Sequence, residues 1–156
     1  MCLIIDNDVV RDIFADQCSP AFVPIKTAIY KGQAIIVYGG KLKDEYMRSH
    51  NVAEELMILD RLGLARQISG ERVSKETASV KALSICKSND GHVIALARVS
   101  GARLLCSHDR KLHSDFGNKD LINNPRGGVY QDPSHAPLIA RYCNPKKKTD
   151  RQIKRR

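Results

Sequence analysis

Acidic residues follow two apolar segments of this 156-residue chain. Asp6 comes directly after residues 2–5, Cys-Leu-Ile-Ile, and Asp109 closes the apolar segment 103–107, Arg-Leu-Leu-Cys-Ser. Short apolar runs of this length, bounded by polar residues, are typical of buried strands. Ligand sites of parallel sheets gather beyond the carboxyl ends of the strands, so the two acids should meet at one rim if their strands are neighbours. Asp90 opens the helix that leads into the second of these strands and should reach the same rim.

A fourth acid is expected from the helix after the second predicted strand, at Glu45 or Asp44. Clustered carboxylates repel one another, and a divalent cation can neutralise them. Carboxylate oxygens without His or Cys nearby suit Mg²⁺ or Mn²⁺. Such ions activate water and stabilise the leaving oxygen of a phosphodiester. The pattern therefore indicates metal-dependent cleavage of nucleic acid.

Each acid also has a simpler interpretation when it is taken alone. Asp90 and Asp109 could be only helix N-caps, whose carboxylates accept hydrogen bonds from backbone N–H groups. Glu45 could be a solvated helix residue. Asp6 is harder to explain in this way, because an acid that closes a buried strand loses hydration unless a partner awaits it. The combination of the four positions favours a functional site.

The predicted elements alternate between strands and helices along the chain. Strands are expected at 2–5, 33–38, 67–69 and 103–107, with a late strand or hairpin arm at 127–131. Helices are expected at 9–16, up to Tyr30, and at 41–49, 52–64, 74–85, 91–99, 110–116 and 134–142. Most of the strands are continuously apolar, so both of their faces should be buried. This order predicts a three-layer α/β/α sandwich with a central, mostly parallel sheet.

Charge divides the chain into a mildly basic domain, residues 1–143, and a strongly basic tail, residues 144–156. The whole chain carries a net charge of +9, of which the tail holds +6. The tail has no apolar periodicity, so we expect it to be disordered. A basic tail suggests a polyanion partner, most simply nucleic acid, although it could also be only a solubilising end. The tail residues expected to bind nucleic acid are Lys146, Lys147, Lys148, Arg151, Lys154, Arg155 and Arg156.

Several classes of protein and site are not expected. No apolar run exceeds five residues, whereas a membrane-spanning helix needs about 20. The first residues lack the basic and apolar segments of a secretory signal, and we expect a cytoplasmic location. The five cysteines are odd in number and contain no Cys-x-x-Cys pair, so a disulfide framework is not expected, and Cys86 and Cys106 should be buried small hydrophobes. The histidines form no His-x-x-x-His pair that would suggest a zinc site.

Three segments resemble the PIN-domain ribonucleases, which include the toxins of bacterial toxin–antitoxin pairs. They are residues 4–9 (Ile-Ile-Asp-Asn-Asp-Val), 88–97 (Ser-Asn-Asp-Gly-His-Val-Ile-Ala-Leu-Ala) and 104–109 (Leu-Leu-Cys-Ser-His-Asp). The family has an Asp after its first strand, a Glu on an early helix, an Asp before an Ile/Leu-Ala-x-Ala helix, and a Thr/Ser-x-Asp after a later strand. Asp6, Asp90 and Asp109 match three of these places.

The resemblance implies catalytic, metal-holding roles for the three matched aspartates and for Glu45. Asp44 is the alternative to Glu45, and Glu54 or Glu55 is more remote. Supporting roles around the metal fall to four residues: Asn7, Asp8, Ser107 and Asp115. The implied activity is a Mg²⁺-dependent endoribonuclease that cleaves single-stranded or looped RNA and leaves a 3′-hydroxyl and a 5′-phosphate. A cognate antitoxin and a homodimer are the implied protein partners.

Two other functions stay open at this point. Asp6-Asn7-Asp8 after a buried strand also matches the Asp-x-Asp signature of haloacid-dehalogenase-like phosphatases, in which the first Asp is the nucleophile. No convincing downstream Lys or paired Asp motif accompanies it. The second alternative is a non-catalytic PIN-like module that binds RNA or a partner without cleaving it.

Overall fold

A computed structural model describes residues 2–143 of the chain. The predicted basic tail, 144–156, lies outside these residues. The described part contains a central sheet of five strands, all parallel, in the order β3-β2-β1-β4-β5. The strands are β1 (Leu3–Ile5), β2 (Ile36–Gly39), β3 (Ala65–Ile68), β4 (Leu104–Cys106) and β5 (Gly128–Tyr130).

Helices flank this sheet, which confirms the predicted three-layer α/β/α sandwich. They are α1 (Asn7–Ile13), α2 (Val23–Tyr30), α3 (Gly40–Met47), α4 (His50–Arg61), α5 (Gly70–Ala82), α6 (Gly91–Ser100), α7 (Arg110–Phe116) and α8 (Pro137–Cys143). Single 3₁₀ turns precede α2, at Pro20–Phe22, and α8, at Pro133–His135. None of the helices within residues 2–143 is long and apolar enough to cross a membrane.

The hydrophobic core lies on both faces of the three central strands. Every residue of β1, β2 and β4 is buried, as continuously apolar strands require when helices cover both faces. Edge strand β3 instead exposes Arg66 and Gln67 between two buried residues. The sequence prediction placed a strand only at 67–69 and so missed the first half of β3, because these polar residues weaken its apolar pattern.

The last strand joins the sheet in parallel, and it is not a hairpin arm. Gly128 pairs with Leu104, and Tyr130 pairs with Cys106. Glycine is required here because neighbouring groups press on the strand: a Cβ on Gly127 would lie 2.5 Å from the Phe116 ring, and one on Gly128 would lie 2.8 Å from the Tyr142 ring. The long connection through α7 places β5 at the edge beside β4.

A disulfide between Cys2 and Cys143 shows that the expectation of no disulfide was wrong. It joins the start of β1 to the end of α8, with the two Cα atoms 5.2 Å apart. The 141 residues between them leave no local sequence signal of the pairing. Cys106 is fully buried, as predicted, whereas Cys86 is only partly buried.

Strand order determines where a site can form. β1 lies between β2 and β4, so the chain runs to one side of β1 first and to the other side later. Parallel sheets open a crevice at such a reversal, beyond the carboxyl ends of the two strands concerned. The Asp6 N–H donates to the Cys106 carbonyl at 2.8 Å, which extends the β1–β4 pairing to the rim of this crevice.

Candidate active site

Asp6 and Asp109 meet at the rim between β1 and β4, and Ser107 joins them. The Ser107 hydroxyl donates to Asp6 Oδ2 at 2.7 Å and accepts from the Asp109 N–H at 3.0 Å. Ser107 itself is 1% exposed, so these bonds are shielded from water. The His113 ring contacts the Ser107 carbonyl and holds the same turn from the other side. The two acids predicted from the ends of separate strands therefore share one buried hydroxyl.

Asp109 also caps helix α7. Its Oδ1 accepts from the N–H groups of Lys111 and Leu112, at 2.9 and 3.3 Å. The simple capping interpretation is thus correct for this residue, but it uses only one carboxylate oxygen. Asp6 Oδ1 similarly accepts from the Asn7 N–H at 2.9 Å, at the start of α1. Both carboxylates are oriented by helix starts and keep lone pairs for a further ligand.

Asp90 stands at the start of α6, and its side chain makes no capping hydrogen bond. Capping therefore does not account for this carboxylate. Its backbone is positioned instead, because the Asp90 N–H donates to Ser88 Oγ at 3.2 Å.

The buried Asp115 holds Ser88 in place from helix α7. Asp115 Oδ2 accepts from the Ser88 hydroxyl at 2.7 Å and from the Ser88 N–H at 2.9 Å, and Oδ1 accepts from the Lys87 N–H at 2.8 Å. Asp115 is 1% exposed. Asp115 therefore fixes the loop that carries Asp90.

Glu45 reaches the site from α3. The Gly39-Gly40 turn lets α3 begin directly after β2: Gly40 has a φ of 59°, which favours glycine, and a Cβ on Gly39 would lie 2.4 Å from the Ile68 carbonyl oxygen. The neighbouring Tyr46 is fully buried and donates its hydroxyl to the Ile5 carbonyl, one residue before Asp6. This bond ties α3 to the end of β1 and brings Glu45 towards Asp6.

The other acids considered for the fourth position point elsewhere. Asp44 is exposed, and Glu54 pairs with the exposed His50 on α4. Glu55 accepts from the Tyr30 hydroxyl of α2. Glu45, by contrast, has a side chain only 18% exposed.

Asp90 is close enough to the other three carboxylates for their charges to affect its pKa. Burial first, and then the charges of Asp6, Asp109 and Glu45, raise the pKa of Asp90 to about 6. Burial and the charge of Asp6 also raise the pKa of Glu45. Asp8 shows the same direction: burial first, then Asp6, raise its pKa. Like charges gathered in this way are stabilised by a bound cation.

His92 is a site residue that sequence reasoning missed. It is buried, and its Nε2 lies 3.2 Å from Glu45 Oε1. Burial, and then the charge of Lys41, lower the pKa of His92 to about 4. The imidazole is therefore neutral near pH 7, and its contact with Glu45 is a hydrogen bond in which Nε2–H donates. Its position two residues after Asp90, at the start of a helix, was the available signal.

The residues present fit a hard divalent cation by their chemistry. The converging groups are carboxylate oxygens, which Mg²⁺ and Mn²⁺ prefer. The buried Asn7 Oδ1, next to Asp6 in the chain, has no hydrogen-bond donor among the described residues and offers a further oxygen. Within residues 2–143, no group of three or more His, Cys, Asp or Glu side chains has the arrangement of a formed metal site.

Neither the known protein-family models nor the curated proteins that were searched contain a match to this chain.

Proposed function

We propose that this protein is a Mg²⁺- or Mn²⁺-dependent endoribonuclease of the PIN-domain type, with Asp6, Glu45, Asp90 and Asp109 as the metal ligands. The observation that carries the proposal is the gathering of carboxylates at the β1/β4 crevice, where burial first, and then the charges of Asp6, Asp109 and Glu45, raise the pKa of Asp90 to about 6. Acids that serve only structure are more often paired with cations or hydrogen-bond donors than crowded together.

A bound divalent cation would supply water activation and charge stabilisation for phosphodiester cleavage. The chain's own residues orient the ligands. Ser107 sets the spacing of Asp6 and Asp109, and Asp115 fixes the loop before Asp90 through Ser88. His92 Nε2 contacts Glu45 Oε1 at 3.2 Å and orients that side chain. Near pH 7 the Asp90 carboxylate is mostly ionised, because its pKa is about 6.

Single-stranded or looped RNA is the proposed substrate. Bases of single strands and loops can be splayed out against a protein surface, whereas a rigid duplex cannot easily enter a narrow acidic crevice. The basic tail predicted at 144–156 would add sequence-independent affinity for the phosphate backbone.

The test is incubation of the purified protein with a mixed-sequence RNA pool, with Mg²⁺ or with a chelator. We expect cleavage only with the metal, and Asp6→Asn, Asp90→Asn and Asp109→Asn should each abolish it while they preserve the fold. Wild-type cleavage rates in any of these three variants would overturn the assignment.

Glu45→Gln and Asp44→Asn form a matched pair for the fourth ligand, since the two acids are neighbours on α3 and differ in exposure. We expect the loss of activity in Glu45→Gln alone. The reverse pattern would show that Asp44 is the ligand.

The two alternatives predict different results. A phosphatase of the haloacid-dehalogenase type would form a trappable aspartyl-phosphate at Asp6. A non-catalytic module would bind RNA equally well with and without metal and would leave it intact.

Cytoplasmic location, a cognate antitoxin and a homodimer belong to the same proposal. Disulfides are rare in the cytosol of most organisms, so the state of Cys2 and Cys143 in cells bears on the location. Recovery of the two cysteines oxidised from cells would favour an oxidising compartment or an unusual cytosol.

A further inference from the structure

A cavity of about 190 Å³ lies beside the acidic cluster, between α3, α5 and the start of α6. Its polar lining includes Lys41, Ser74, Lys81, Asn89 and His92. No Asp or Glu of residues 2–143 lines it. It is therefore a basic, hydrogen-bonding recess next to an acidic one, and it is large enough to hold far more than a single water molecule.

His92 forms the shared wall between the two recesses. Its ring lines the cavity, while its Nε2 contacts Glu45 on the acidic side. Lys41 and Lys81 both lie near enough to the ring to lower the pKa of His92, after the larger effect of burial. Lys41 lines the cavity and also lowers the pKa of Glu45 and of Asp90, against the larger effects that raise them, so its charge acts on both recesses.

The positive charge of the cavity comes from Lys41 and Lys81. Within residues 2–143, neither Lys41 nor Lys81 takes part in an ion pair. Ser74 and Asn89 add side-chain hydrogen-bond donors to the same lining. Two ammonium groups and neutral donors around one cavity are suited to a singly or doubly charged oxyanion, and phosphate is the form in which RNA presents one.

We propose that this cavity binds a backbone phosphate of the RNA strand, one that neighbours the phosphate held at the four carboxylates. The proposal rests on the proposed ribonuclease function and adds the subsite that holds the strand. It also resolves an electrostatic difficulty, since four carboxylates repel a polyanion until cations neutralise them. A basic recess behind His92 would hold the strand by a phosphate that takes no part in the reaction.

Lys81→Gln is the most direct variant, because Lys81 lines the cavity but, unlike Lys41, is not among the charges that shift the pKa of Glu45 or Asp90. Lys75→Gln is the matched control: Lys75 is an exposed lysine of the same helix, α5, and lies outside the cavity. RNA binding is measured against salt concentration in an Asp6→Asn background, so that no cleavage occurs. We expect Lys81→Gln to reduce the slope of log affinity against log salt by about 0.7, and Lys75→Gln to leave it unchanged.

Cleavage kinetics and a modified substrate complete the test. With otherwise wild-type protein, Lys81→Gln should raise KM and leave kcat within a factor of two, because the contact is the same in the ground state and the transition state. A single uncharged methylphosphonate linkage, moved along the RNA one position at a time, should weaken binding most at one position next to the cleaved bond. Lys81→Gln should remove that position's effect, and Lys75→Gln should retain it.

The outcomes separate this proposal from the function on which it rests. If the wild type cleaves RNA but Lys81→Gln matches Lys75→Gln in slope, KM and methylphosphonate pattern, the subsite is refuted and the ribonuclease stands. If the wild type fails to cleave RNA, the proposed function is refuted, and the binding measurements still decide whether the cavity holds a phosphate. If inorganic phosphate competes for the cavity as strongly as RNA does at the same concentration of phosphate groups, the cavity binds free anions and not a strand.

Discussion

Replacing Asp90 by Asn should stabilise the metal-free protein, which is unusual for a change at a functional site. The Asp90 side chain makes no hydrogen bond to the backbone of α6, so the substitution removes no cap. Asn is itself a favourable residue at a helix N-cap. The change is nearly isosteric and removes only the charge whose burial and acidic neighbours raise the pKa of Asp90 to about 6.

The size of the effect follows from that pKa. A rise from 3.8 to about 6 corresponds to about 3 kcal/mol at roughly 1.4 kcal/mol per unit. Asp90 is partly exposed, so solvent screening reduces the expected gain to about 1–1.5 kcal/mol. For a protein of this size, this gain should raise the melting temperature by about 2–6 °C.

The gain should depend on pH with a definite sign. The folded protein binds the Asp90 proton more tightly than the unfolded chain does, so stability is lost as pH rises from about 4 through 6. The advantage of Asp90→Asn should therefore be full above pH 7 and vanish near pH 4. The pKa of His92 is shifted the other way, from 6.5 to about 4 in the folded protein, so its contribution to stability rises with pH over this range. That contribution is present in the wild type and in Asp90→Asn alike, so it largely cancels when the two proteins are compared.

The assay is thermal and urea unfolding at pH 4.5 and pH 7.5 in the presence of a chelator. Asp44→Asn, an exposed change of the same kind on α3, is the control and should have little effect. In a second series, saturating Mg²⁺ should stabilise the wild type by about 1–3 kcal/mol, because the ion binds only the folded protein, and should raise its melting temperature. The melting temperature of Asp90→Asn should rise much less. Our account of the crowded carboxylates is wrong if Asp90→Asn is no more stable than the wild type at pH 7.5, or if its advantage is the same at both pH values.

Three further predictions concern the elements around the site. Ser107→Ala should cost about 1–2 kcal/mol of stability and weaken Mn²⁺ binding, measured by electron paramagnetic resonance, because the hydroxyl that joins Asp6 and Asp109 is lost. Ser107→Thr keeps a hydroxyl and should restore the binding. Failure of that rescue would contradict the positioning role of Ser107. Cys143→Ser should lower the free energy of unfolding by about 2–4 kcal/mol, and thiol titration of the unreduced, unfolded wild type should find three free cysteines; five would contradict the disulfide. Deletion of residues 144–156 should flatten the salt dependence of RNA binding by about 2–3 units, for three or four lost phosphate contacts, and leave kcat unchanged; an unchanged slope would reduce the tail to a solubilising end.

The central part of the fold was predictable because it is encoded locally. β1, β2 and β4 are short apolar runs between polar turns, and this pattern identifies a buried strand without knowledge of its partners. The positions of Asp6 and Asp109 follow directly, since each comes just after such a strand. The exposed edge strand β3 carries a weaker signal, because its polar residues face solvent.

Contacts between distant segments were not predictable in the same way. Asp44 and Glu45 are adjacent, and only the path of α3 after the Gly39-Gly40 turn determines which of them faces the crevice. His92 appeared to be an ordinary residue of a helix until its contact with Glu45 was known. The Cys2–Cys143 bond depends on where both ends of the domain meet, and neither end carries a sign of the other.

The chemistry of the RNA ends tests the central claim most directly. A single-stranded RNA is incubated with wild-type protein and with Asp6→Asn in Mg²⁺, and the termini of every fragment are identified by mass spectrometry. If water attacks at a metal held by the carboxylates, the wild type should produce 5′-phosphate and 3′-hydroxyl ends, and Asp6→Asn should produce no fragments. Cleavage by the wild type should continue when the 2′-hydroxyl at the cleaved position is removed. Fragments ending in 2′,3′-cyclic phosphate, or equal cleavage by Asp6→Asn, would contradict the account.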